Sequence, residues 1–238
     1  MYTKVLSLAD VPVRINFNFA YFDKMSAGYE TDEPEQMTIT ITPDDIENER
    51  ARSEEGEWPN AYLETLAIYR KFCSLALEKG IILFHSSVIA VDGKAYAFTA
   101  PSGTGKSTHA SIWRKLLGDR AVTVNDDKPL LRIKDDGVWV YGTPWNGKHR
   151  LGANVKFKMG AIALLSRATE NSAVQIPPYS VLDKILAQLH RGDTETENLT
   201  ALDLAFKVLE KVPVYSLRCN MQDDAGKTSI KAMAGIEI

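Results

Sequence analysis

Eight consecutive residues, Ala100-Pro101-Ser102-Gly103-Thr104-Gly105-Lys106-Ser107, carry the clearest chemistry in the chain. They follow an apolar, β-prone run at 94–99 and precede a helix-like run at 108–117, the strand–loop–helix setting of a phosphate-binding P-loop. Small residues let successive backbone N–H groups turn inward around a phosphate chain, and the helix N-terminus adds its positive dipole end. In that setting Lys106 reaches the β- and γ-phosphates and the Ser107 hydroxyl ligates Mg²⁺. The chain is therefore expected to bind a nucleoside triphosphate through Ser102, Gly103, Thr104, Gly105, Lys106, Ser107 and Thr108. A glycine-rich turn that binds nothing is the alternative. One position departs from G-x-x-x-x-G-K-[ST]: Ala100 stands in place of the first glycine, and Pro101 has no N–H to offer. The phosphate donors then fall to residues 103–107, and alanine at 100 suffices if its φ stays negative.

A second group follows about one β–α–β unit later. Asn125-Asp126-Asp127 ends a short β-branched run at 121–124, and open α/β sheets place their ligands at such strand ends. If that strand neighbours the P-loop strand, one carboxylate can hold Mg²⁺ while the other takes the proton of a substrate hydroxyl. We read Asp126 as the base and Asp127 as the metal ligand beside Ser107, although the two roles are interchangeable on sequence grounds. Standing alone, Asp-Asp before Lys128-Pro129 is ordinary turn chemistry. Segment 141–150 is punctuated by Gly142, Pro144 and Gly147. There Lys148 and Arg150 are candidates for holding phosphate or a substrate carboxylate, and Trp145 for covering a ring. An exposed loop with basic tips and a packing tryptophan is the alternative. His85, on the strand before the P-loop strand, is on sequence alone an ordinary strand histidine. His109, His149 and His190 show no metal-ligand spacing.

Positioning these groups needs a sheet. Alternating or apolar runs predict strands at 11–17, 37–41, 81–91, 95–99, 121–124, 130–133, 138–141, 160–165 and 214–217. Asp92-Gly93 marks a tight hairpin turn between the third and fourth of these. Helices are expected from Asn60 to near Gly80, after the P-loop, over 178–190, over 198–211 and over 225–234. The charged stretch around 44–59 reads as an exposed loop: a lid, a partner surface or a solvated segment. The sum is an α/β fold, a P-loop-containing mixed sheet flanked by helices. A single domain over 1–238 is expected, its strand-and-helix portion 1–80 packed on a nucleotide-binding core at 81–238.

The 238 residues are 45% apolar and 25% charged, the profile of a globular protein. A net charge of −3 argues against a general nucleic-acid coat. No apolar run approaches the ~20 residues of a membrane span, and no secretory leader is recognisable at the start. Cys73 and Cys219 lie far apart without metal spacing and read as buried thiols of a reducing cytoplasm.

Three features together resemble the HPr kinase/phosphorylase catalytic domain and the ATP-dependent phosphoenolpyruvate carboxykinases. These are the Phe84-His85-Ser86-Ser87-Val88 strand leading by a hairpin into the loop, the Ser102–Thr108 loop itself, and the strand ending in Asp126-Asp127. The resemblance covers roughly residues 81–135. It implies an HPr kinase/carboxykinase-like core with an N-terminal extension, ATP and Mg²⁺ as cofactors, and a histidine, here His85, near the γ-phosphate or a second metal. It also leaves a homo-oligomer open. The Leu-Glu-Ile-Arg-Gly-type segment of HPr kinases is absent, and the chain is short for a carboxykinase. The expected activity is phosphoryl transfer to a serine-like hydroxyl of a small molecule or peptide, with Asp126, Lys106 and His85 at the chemistry. A nucleotide-binding sensor with little turnover, and phosphorolysis or dephosphorylation of a phospho-substrate, are the alternatives. Neither the acceptor nor ATP over GTP is specified by any motif.

Overall fold

The computed structural model describes residues 1–53, 56–190 and 192–238. By internal contacts the chain divides into two compact units, Met1–Lys79 and Gly80–Ile238.

The first unit holds a three-stranded sheet. Strands β1 (Tyr2–Leu8) and β2 (Val11–Phe17) form an antiparallel hairpin, and β3 (Met37–Thr40) adds parallel to β2. The hairpin turn Ala9-Asp10 has both residues at positive φ, 52° and 59°, the conformation whose twist matches a tight hairpin. Three helices follow the same chain order: α1 (Ala20–Met25), α2 (Pro43–Arg52) and α3 (Asn60–Ala76). Leu63, Ala67, Ile68, Phe72 and Ala76 recur at helical spacing on α3 and are buried. Buried Glu64 accepts from the backbone N–H groups of Asn18 and Phe19, which closes the start of α1. The exposed loop expected at 44–59 is a helix over most of its first half. Thr42 and Asp45 form a reciprocal capping box with Pro43 at the first position. Its charge density hides a narrow apolar stripe, and buried Glu49 pairs with Arg70. Glu54 and Glu55 of that stretch lie outside the described residues.

In the second unit nine strands form one mixed sheet, with the path β4-β8-β9-β10-β6-β5-β7 and a β12–β11 branch on β10. The strands are β4 (Ile81–Leu83), β5 (Ser87–Val91), β6 (Lys94–Thr99), β7 (Ala121–Asn125), β8 (Leu130–Lys134), β9 (Gly137–Tyr141), β10 (Lys156–Arg167), β11 (Ser172–Ile176) and β12 (Val214–Cys219). The helices are α4 (Lys106–Leu117), α5 (Leu182–Leu186), α6 (Glu195–Lys211) and α7 (Asp223–Ala234). Trp113 of α4 and Ile230 of α7 share one core with Ile89, Phe98, Ala163 and Leu217 of the sheet. Helix α6 packs with β4, β8 and β9.

Strand β10 extends the predicted 160–165 run in both directions into one 12-residue strand. Its first residues pair antiparallel with β9, its last six parallel with β12, and its other edge parallel with β6. The β10–β6 register ends at Leu164↔Thr99, so β10 runs three residues past the end of β6, a reach of about 10 Å at ~3.3 Å per residue.

Three expectations change. The 81–91 strand is broken at Phe84–Ser86, which places His85 at a kink between β4 and β5 rather than on a strand. Strand β7 pairs with β5, not with β6. The Asp92-Gly93 turn commits β5 to one edge of β6 and β10 occupies the other, so β7 takes the remaining edge of β5. The helix expected over 178–190 is a short 3₁₀ turn, Pro178–Val181, followed by α5. The chain leaves helix after α5, and Leu189 bridges Phe84 while the Gln188 carbonyl accepts from His85 N–H. Strands β1 and β11 and helix α1 were not legible in the sequence pattern.

Candidate functional site

Thr99 ends β6 inside the sheet, and the chain then turns through 100–105 into α4. Gly103 and Gly105 take φ of 76° and 124°, and a Cβ at either would meet nothing within 4 Å. Positive φ excludes most side chains there, and the open space above the loop is where a phosphate chain needs room. Ala100 keeps negative φ, the condition under which alanine suffices at that position. Thr104 closes the turn, its N–H and Oγ1 both donating to Pro101 O at 3.3 and 2.8 Å. Its N–H therefore faces the loop's own carbonyl and not outward with the other expected donors. No side chain caps the start of α4, whose N-cap is Gly105, so its first-turn N–H groups present the positive helix end. Ser102, Gly103 and Thr108 are exposed and Ser107 half-buried along this rim.

Lys106 is only 8% exposed. Its Nζ donates to Ala100 O at 2.9 Å and lies 3.5 Å from Pro101 O. Burial lowers its pKa, and the negative charges of Asp127 and Asp126 oppose that shift. The Lys106 ammonium and the acid pair thus share one local field.

The acid pair is held by a polar turn. Asn125, fully buried, accepts from Asp127 N–H at 2.8 Å and Lys128 N–H at 2.7 Å through Oδ1. Its Nδ2 donates to Thr143 Oγ1 at 3.0 Å, Thr143 O at 3.2 Å and Asn146 Oδ1 at 3.0 Å. One side chain therefore ties the 125–128 turn to the 143–146 loop. Asp126 is buried and accepts from Ser87 Oγ at 2.6 Å. Asp127, more exposed, has Oδ1 at 3.2 Å from His85 Nε2. Burial pushes the Asp127 carboxyl up, but the His85 hydrogen bond and the charges of Lys128, His85 and Lys106 outweigh it and hold it below the usual carboxylate range.

The kink carrying His85 is fastened at successive residues. Phe84 N–H donates to Pro129 O, His85 N–H to Gln188 O and Ser86 N–H to Asp127 O, while His85 O accepts from Thr99 Oγ1. Antiparallel pairing of β5 with β6 on one edge and with β7 on the other brings Ser87, Thr99 and Asn125 to one end of the sheet, so residues 85–87, 99–107 and 125–127 converge there.

The 141–153 segment closes over the acids. A Cβ on Gly142 would lie 1.8 Å from Ala153 O, which leaves room only for glycine. Gly147 sits with its Cβ direction 3.4 Å from Asp127 Cβ and 3.6 Å from Asp126 Oδ2. Trp145 is 4% exposed; it packs inward and leaves no face for a ligand ring. Lys148 and Arg150 stand exposed on the same loop, immediately beyond Gly147, with Arg150 at a φ of 51°.

No protein-family model matches the sequence, and no curated protein matches it. Among solved structures, the HPr(Ser) kinase/phosphatase from Coxiella burnetii is similar over 64% of this chain and 93% of that one, with a TM-score of 0.36 and 10% identity. At that score the likeness says nothing of chemistry, which rests on the residues above.

Four residues of the arrangement had no role in the sequence reading. Ser87 and Thr143 carry no motif. Asn125 was visible only as the start of the Asp pair, though an Asn before two N–H groups is an Asx-turn signal. Arg167, at the overhanging end of β10, donates through Nε to Thr104 O at 3.1 Å and through an Nη to Gly103 O at 2.5 Å. It clamps the 100–105 loop from outside, and nothing local in the sequence marks it. Among the described residues no cluster of three or more His, Cys, Asp or Glu groups is arranged to hold a metal by itself. No helix among them is long and apolar enough to cross a membrane.

Proposed function

We infer that the chain is a nucleoside-triphosphate- and Mg²⁺-dependent phosphotransferase acting on a hydroxyl. The observation that carries this is the convergence of the 99–107 loop, with its buried Lys106, and the Asp126-Asp127 turn at one end of the sheet. A cation for phosphates and two carboxylates for metal and proton meet at one end of one sheet. The residues fit the ligand: two open glycine positions, an uncapped helix start, and a lysine whose carbonyl partner a phosphate oxygen can replace.

In this reading the loop N–H groups and Lys106 hold the phosphates. Ser107 and Asp127 would hold Mg²⁺, whose charge offsets that of the transferring group. A carboxylate kept well ionised is a good metal ligand and a poor base, which favours Asp127 for the metal. His85 fixes its orientation. Asp126, with Oδ1 occupied by Ser87, offers Oδ2 to the acceptor. The acceptor oxygen forms its bond to the γ-phosphorus, the bond to the bridging oxygen breaks, the hydroxyl proton passes to Asp126, and the nucleoside diphosphate leaves. Positioning and charge neutralisation supply most of the rate. Arg150 and Lys148 stand near enough in sequence to the Gly147 contact to steer an anionic group toward the acids.

The test is Mg²⁺ with γ-labelled ATP and pooled hydroxyl-bearing metabolites and peptides. Transfer is expected from the native chain and not from Lys106→Ala or Asp126→Asn, both folded. Full activity in either variant refutes the assignment. Tight nucleotide binding with no transfer to any acceptor favours the sensor alternative.

A further inference from the structure

A cavity of about 340 Å³ opens beside the first residues of the P-loop, walled by the ends of β6, β10 and β11, by β12 at Ser216 and by the α5 segment. That volume lies in the range of small-molecule sites, roughly 300–1,000 Å³. Its walls are mostly apolar, with Leu164, Leu165, Ile176 and Val181 lining it. The polar residues along it are Thr99, Ser166, Lys184, Gln188 and Ser216. Lys184 is exposed and makes no hydrogen bond or ion pair among the described residues.

The cavity's position defines what it can serve. Lys106, which reaches the β- and γ-phosphates, has its Nζ on the carbonyls of Ala100 and Pro101. Those two residues also line the cavity. The transferable end of a bound triphosphate therefore lies at the cavity end of the loop. A nucleobase is a poor occupant, because it sits at the opposite end of the triphosphate from the phosphates that Lys106 reaches. Resting on the phosphotransferase reading, we propose that this cavity is the acceptor site and that the acceptor is a small hydroxy acid with an apolar body. The body fills the cavity, the carboxylate pairs with Lys184, and the hydroxyl faces the γ-phosphate. The transfer step is the one written above, the hydroxyl proton passing to Asp126.

The experiment titrates the full chain calorimetrically, without nucleotide, with 3-hydroxybutyrate, 3-hydroxyhexanoate, 3-hydroxyoctanoate and 3-hydroxydecanoate. Affinity is expected to rise about fourfold per methylene until the cavity is full. Lys184→Gln weakens the acids about tenfold, as loss of a charge-assisted contact does, and leaves binding of 2-octanol unchanged. Ser216→Phe and Ala187→Trp, which fill the cavity from two sides, remove acid binding while Mg²⁺–ATP binding persists. γ-Label is expected on the acids that bind. No heat from any acid, binding that survives both fillers, or label reaching other acceptors but never these acids overturns the proposal. Loss of the phosphotransferase reading looks different: Mg²⁺–ATP fails to bind or labels nothing, while the titration still decides whether the cavity takes apolar acids.

Discussion

Replacing Asn125 by alanine should cost the Gly80–Ile238 unit about 3 kcal/mol and disable the acid pair. The side chain is fully buried and makes hydrogen bonds in two directions. Alanine leaves the N–H groups of Asp127 and Lys128 without their acceptor, and a buried donor left unpaired costs about 1–3 kcal/mol. Two such groups give roughly 2–6 kcal/mol. The lower half applies because Asp127 and Lys128 are half-buried and water can reach them. Thr143 loses little, since its hydroxyl keeps Lys128 O at 2.8 Å. Trp113, Trp139 and Trp145 lie in this unit, so tryptophan emission in urea follows its unfolding. The midpoint should fall by on the order of 1–2 M. Asn125→Asp keeps the acceptor for both N–H groups but turns a carboxylate toward Thr143 O and Asn146 Oδ1. It should be at least as destabilising at neutral pH and partly recover on acidification, when protonation restores a donor. An alanine variant within about 0.5 kcal/mol of the native chain, the range of ordinary surface substitutions, would refute the claim that this one side chain holds the turn.

Other consequences are as direct. Arg167→Ala removes two hydrogen bonds to P-loop carbonyls from an exposed site; nucleotide affinity should fall about tenfold with stability changed by less than about 1 kcal/mol, and equal affinity in both proteins would show the clamp idle. His85→Ala removes a hydrogen bond that holds the Asp127 carboxyl down, so that pKa should rise and the acid limb of any transfer activity move to higher pH; an unmoved limb argues against Asp127 in that role. Asp127 has a depressed folded pKa, so its stabilisation is present above the unfolded value near ~4 and lost only as pH falls through the lower folded one. His109 is buried against Ser229 Oγ at 2.8 Å, and burial lowers its pKa to about 4. The unfolded chain binds that proton first, so stability present above about pH 6.5 should decline toward pH 4, by about 3 kcal/mol in all. His109→Gln should flatten that decline when denaturation is followed against pH, and an identical slope would exclude His109 as its source.

The stretch from Lys94 to Ser107 is determined by the sequence itself, because its constraints are local. An apolar strand, two glycines able to take positive φ and a helix start without a capping side chain need no distant partner to be recognised. The Asp126-Asp127 turn is local in the same sense, as are the Asp92-Gly93 hairpin and the apolar face of α3. Tertiary structure alone decides what surrounds them. His85 is an unremarkable residue until the break between β4 and β5 aims it at Asp127, 42 positions away in the chain by their numbers. Ser87 meets Asp126 because β5 lies between β6 and β7, an order set by competition for strand edges. Arg167 reaches the 103–104 carbonyls because β10 outruns β6, and strand overhang has no local signature. The helix at Pro43–Arg52 was hidden for the converse reason: its buried stripe is narrow and its stability comes from a cap and from Glu49's pairing with Arg70, a partner on α3. Short-range backbone chemistry is written in neighbouring residues, whereas the pairing of polar groups across strands depends on topology, which no single segment contains.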